Sequence, residues 1–104
     1  MNRWEIRTST LLPALVICTA VMATYAPSVG HGFISVDDND YVTANPWVRQ
    51  GLTLAGVRWA FTSFHASNWH PLTWLSHMLD VTLFGMDPSG HHAVNVLLHT
   101  VNAL

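Results

Sequence analysis

Apolar and polar positions along the chain fall into four blocks. From Thr8 to Val36 there is no Asp, Glu, Lys or Arg. Within this stretch LLPALVICTAVMATYA (Leu11 to Ala26) is almost wholly apolar. A bilayer core needs about 20 apolar residues as a helix, and Ile6 to Tyr25 supplies that length, with Pro13 read as lying near the helix start. The next block, PSVGHGFISV, carries glycines and is briefly strand-like before the acidic cluster DDND, a turn by its Asp and Asn content. Asn45-Pro46 marks a second break. GLTLAGVRWAFTSF then predicts a short helix with Thr53 as N-cap, placing Leu54, Val57 and Phe61 on one face.

The third block, NWHPLTWLSHMLDVTLFG, predicts a helix opened by Pro71 and stopped by Gly85. Leu72, Leu75, Leu79 and Leu83 form its stripe, with Trp74, Met78 and Val81 beside it and Ser76, His77 and Asp80 as polar interruptions. Too short to span a bilayer and too apolar to stand free in water, it reads as an interfacial helix with Trp69 and Trp74 at headgroup level; a buried helix of a soluble domain is the alternative. In the fourth block, Asp87-Pro88-Ser89 starts a helix that is still apolar at Leu104, as expected of a chain that continues.

Composition agrees with a membrane setting. Of 104 residues, 10% are charged and none is lysine, against about 25% charged in ordinary soluble domains. Four scattered arginines make no basic stripe, so nucleic acid is excluded as a partner. The lone Cys18 excludes an internal disulfide. Arg3 and Arg7 flank the apolar run on one side, which places the N-terminus in the cytoplasm and the acidic loop outside. A cleaved signal peptide, cut after Val21-Met22-Ala23, is the competing reading and puts the loop on the same side.

Candidate chemistry centres on Asp37 and Asp38, in a chain with six acidic residues. A carboxylate pair outside the cytoplasm can act as general base on a hydroxyl, hold a divalent cation, or be a solvated turn. The histidines offer a rival: His92 and His99 share a face, and His70 and His77 repeat the spacing of seven, so two helices could hold haem or a metal. No HxxxH or CxxC signature accompanies them, and no metal ligands are assigned. Arg49 and Arg58, the cations beyond residue 7, could contact lipid phosphates or the phosphate of a lipid-linked substrate.

In order and spacing, DDxxYVxxNP, GLTxxGVxWAFT, NWHPLTWLSHMLD and GxHHxxNxxLH resemble the N-terminal part of the membrane glycosyltransferases that carry tetratricopeptide repeats (TPR). The eukaryotic members are O-mannosyltransferases. The resemblance covers about Gly32 to Leu104 and the placement of the first span. It implies a GT-C-like, all-α membrane protein fragment. Residues 1–26 would be the cytoplasmic N-terminus and first transmembrane helix. Residues 27–88 would be an exoplasmic or periplasmic loop with the acidic motif and short interfacial helices, and residues 89–104 the start of a second, truncated transmembrane helix.

The membrane implied is a bacterial inner membrane. The activity implied is transfer of a sugar, mannose in the eukaryotic relatives, from a polyprenyl-phosphate donor to a hydroxyl of an acceptor protein, with membrane lipid as the third partner. Asp37 and Asp38 are the catalytic candidates, Asp37 slightly favoured as base. Arg49, Arg58, His70, His77 and Asp80 are the substrate-binding candidates. Polyprenyl phosphate leaves readily, so the mechanism requires no metal, though a divalent cation is compatible with it. The fragment alone is expected to be inactive. The alternatives are a non-catalytic membrane scaffold and a small His-rich haem- or metal-binding membrane protein.

Overall fold

A computed structural model describes the backbone of residues 3–104 and the side chains from Thr8 onward. Arg3 and Arg7, which carry the charge argument for topology, have side chains outside that description. Every regular element among the described residues is helical, and none is a strand. Helix α1 spans Arg3–Tyr25 and continues into a 3₁₀ turn over Ala26–Gly30. One apolar stretch, Thr8–Gly30, is long and apolar enough to cross a membrane, and its residues are not buried by the rest of the chain. Leu11, Leu12, Leu15 and Val16 are all exposed, as lipid contact requires. Pro13 lies well inside α1, not near its start. The helix bond missing there is tolerated more readily in a membrane helix than in a soluble one.

After α1 the chain runs irregularly from His31 and reaches a π-helical turn at Asn39–Thr43. The strand-like reading of Phe33 to Val36 is therefore replaced by irregular backbone, and the DDND turn is realised as a helical one. Asn45 caps the short helix α2, Pro46–Arg49, accepting from the amides of Trp47 and Val48. Its amide also donates to the Asp40 carbonyl at 3.1 Å, which welds the acidic turn to α2. Helix α3, Leu54–Thr62, begins at Thr53, whose hydroxyl accepts from the Gly56 amide. Helix α4 runs Pro71–Phe84 and α5 runs Pro88–Ala103, with Asp87 capping α5.

The core gathers Val42, Val48, Ala60, Trp74, Met78 and Val81 beneath a partial cover of Phe33, Tyr41, Trp47 and Trp59. Helix α3 presents Gly56 and Ala60 to α4. A Cβ on Gly56 would lie 3.1 Å from Met78 Sδ, so the small residue permits the close approach. Leu54, by contrast, is 91% exposed and Phe61 is also exposed, so the apolar face that the spacing marks is the outer one. On α4, Trp74, Met78 and Val81 point inward with Leu75 packed partly against them, while Leu72, Leu79 and Leu83 point out; Trp74 is therefore a core residue and not one at headgroup level. Two further bonds fix the frame: the Thr82 hydroxyl accepts from the Leu52 amide at 2.8 Å, and Trp69 Nε1 donates to the Phe61 carbonyl at 2.9 Å.

Helix α5 returns antiparallel to the end of α1. Its start meets Gly32 through His92, and further along His99 packs edge-on against Tyr25 at 5.0 Å, with Thr100 beside Met22.

Candidate functional site

Between α4, the start of α5 and the acidic turn lies a cluster of polar groups in an otherwise apolar interior. Helix α4 supplies His77 and Asp80, one turn apart and therefore on one face. The reversal at Gly85, where φ is +60°, brings α5 back alongside α4 and delivers His91. Asp80 is 2% exposed and His91 3%. The Asp80 Oδ2 atom lies 3.8 Å from His91 Nδ1 and 4.0 Å from His77 Nδ1. Both gaps exceed hydrogen-bond length. All three atoms are buried without a hydrogen-bond partner, as are His70 Nε2 and Trp74 Nε1.

Aromatic rings wall the cluster. Tyr41 stacks on Trp74 at 4.8 Å and meets His70 and His77 at 5.5 and 5.9 Å. Phe33 stands edge-on to His91 at 5.2 Å. The electrostatics follow from this setting. Burial lowers the His77 pKa, as does the neighbouring His91, while the Asp38 carboxylate opposes them and His70 adds to the lowering. Burial raises the Asp80 pKa and His91 partly offsets it. Burial disfavours charge on both groups.

No family model matches the chain, and no curated protein or solved structure is significantly similar to it. The site is therefore read from its own chemistry.

Of the residues singled out in the sequence, Asp38, His70, His77 and Asp80 come together. Asp38 is half-buried, and its Oδ2 accepts from the Ile34 amide at 2.8 Å. Asp37, next to it, is exposed. Arg49 donates to the Thr43 carbonyl and so closes the turn after the acidic motif. Arg58 lines a separate cleft of about 340 Å³ with Trp47 and Trp59. The paired spacing of seven does not organise the histidines: His92 and His99 line another cleft, with Tyr25 and Ser28, whereas His77 meets His91. His91 is the member that the sequence did not assign. Its neighbour His92 shows the same local pattern, and only the turn at Gly85 decides which of the two faces Asp80.

Proposed function

We propose that the chain forms the donor-side front end of an integral-membrane glycosyltransferase that uses a polyprenyl-phosphate sugar. The observation that supports it most is convergence. Three separated segments of the resemblance, the acidic motif, NWHPLTWLSHMLD and GxHHxxNxxLH, contribute Asp38, His70, His77, Asp80 and His91 to one neighbourhood. That neighbourhood lies just beyond the apolar span, where a donor whose tail is in the bilayer would present its phosphate.

In the reaction, the acceptor oxygen attacks the anomeric carbon and the bond from that carbon to the phosphate oxygen breaks. Polyprenyl phosphate leaves with the electron pair, and the hydroxyl proton passes to a carboxylate. Asp37, exposed beside the anchored Asp38, is the base. Asp38 is the positioning residue, because its hydrogen bond to Ile34 holds the turn in place. Arg58 and the Trp47–Trp59 pair offer a cation and an aromatic face to phosphate or sugar.

The test is sugar transfer from a polyprenyl-phosphate donor by membranes carrying the whole reading frame, including any sequence after the codon for Leu104. Asp37→Asn should abolish transfer at unchanged expression, and Asp38→Asn should reduce it. Full activity in both variants would eliminate the proposal.

A further inference from the structure

The orphaned atoms around Asp80 need a partner that the protein does not supply. His91 Nε2 lies 2.9 Å from the Gly85 carbonyl. A carbonyl only accepts, so Nε2 carries the proton and, in the neutral ring, Nδ1 is left with a bare lone pair. That lone pair faces the Asp80 carboxylate, itself an acceptor. His77 Nδ1 faces the same oxygen. His91 Nδ1 and Asp80 Oδ2 are thus two acceptors that converge at low exposure, and they repel one another unless something positive lies between them. At 3.8 and 4.0 Å no proton bridges these atoms as they stand, and one drawn between a single pair would leave the third atom without a partner, whereas one cation meets all three.

We propose that His77, Asp80 and His91 form a binding site for a first-row divalent transition-metal ion of the zinc class. One ligand atom from each residue lies within 4.8 Å of the other two. An ion at their centre would stand no more than about 2.8 Å from each, and side-chain movement of up to about 0.6–0.8 Å reaches the bonding distance of roughly 2.0–2.2 Å. Around one tetrahedral ion, ligand atoms stand about 3.4 Å apart, close to the two separations observed.

Two imidazoles and one carboxylate select zinc-like ions over magnesium or calcium, which take oxygen ligands. The His91–Gly85 bond is the outer contact that metal-binding imidazoles characteristically make: it fixes the tautomer and aims Nδ1. Phe33 and Tyr41 supply the apolar shell. Three protein ligands leave one coordination position open. The inference stands apart from the glycosyl-transfer reading, since a metal can be held whatever the chemistry.

The experiment uses the full chain, extracted in detergent with a tag that contains no histidine. It is stripped with chelator, then titrated with Zn²⁺ and, separately, Co²⁺. The expected result is one zinc per chain, a rise in Tm on adding zinc, and visible Co²⁺ absorption of low-symmetry type. Asp80→Asn removes a ligand at nearly constant shape and should weaken zinc binding at least about 100-fold, the upper end of the effect of losing even an outer-shell partner. His77→Ala and His91→Ala should do the same, while His92→Ala and His99→Ala retain the metal. Zinc far below one per chain in the wild type overturns the proposal whatever the variants do. So does equal zinc binding by a folded Asp80→Asn, or loss in His92→Ala matching that in His91→Ala. If sugar transfer is never found but the zinc stoichiometry holds, only the enzymatic reading fails.

Discussion

At the scale of single residues, the caps show how local chemistry sets the frame. Asp87 opens α5 by accepting from both the amide and the hydroxyl of Ser89, at 3.0 and 2.8 Å. These two bonds hold its pKa below the ordinary value of 3.8, the side-chain bond contributing most. A carboxylate whose folded pKa is depressed stabilises the fold above its unfolded pKa and loses that contribution as pH falls through the folded value. The start of α5 should therefore loosen only below pH 3.8. Followed by NMR in detergent, the Ser89 amide of the wild type should titrate with a midpoint below 3.8. Asp87→Asn keeps the accepting oxygen without the charge and should show no such transition; a wild-type midpoint at or above 3.8 would contradict the capping account.

At the scale of elements, helix ends were legible in the sequence and helix faces were not. Thr53, Pro71, Gly85 and Asp87 act through neighbours one to four positions away, and each sits at a helix boundary. Faces depend on what lies outside. The spacing of the α4 leucines marks a stripe but not the side it faces, and Trp74, Met78 and Val81 are the residues that pack. A helix apolar on both sides needs a second apolar medium, which the interfacial reading supplies. The same limit hid His91, because its meeting with His77 and Asp80 depends on a turn between helices. The packed and outer faces can be tested on α3. Gly56→Val drives a side chain into Met78 and should destabilise the fold by about 1–3 kcal/mol, the usual cost of overpacking. Leu54→Gln, at a side chain 91% exposed, should leave the denaturation midpoint almost unchanged. The opposite ranking would mean that α3 is rotated.

At the scale of the whole molecule, the 54 Å long body divides into a bare apolar helix and a packed helical cap. If the cap rests on the bilayer, Trp69 and Trp74 should behave differently, although they lie five residues apart. Trp69 is exposed and Trp74 fully buried. In reconstituted vesicles, brominated lipid should quench Trp69 fluorescence and spare Trp74, read as the difference in quenching between Trp69→Phe and Trp74→Phe, which share the other three of the five tryptophans. Equal quenching, or none, would remove α4 from the interface. The membrane-length helix was plain in the sequence because length and apolarity alone define it, whereas the seat of the cap depends on the outward leucines, which only the packed structure identifies.

The turn at Gly85 also has a consequence in time. Ligand candidates on either side of it, Asp80 and His91, leave the ribosome only eleven residues apart, about 0.5–2 seconds at ordinary synthesis rates, while the acidic loop has been made some forty residues earlier. Such an order lets the late hairpin close onto a loop already in place. The pocket is then completed last, by the segment that brings its two imidazoles together, so that an ion captured at that moment would act as the latch of assembly as well as its occupant.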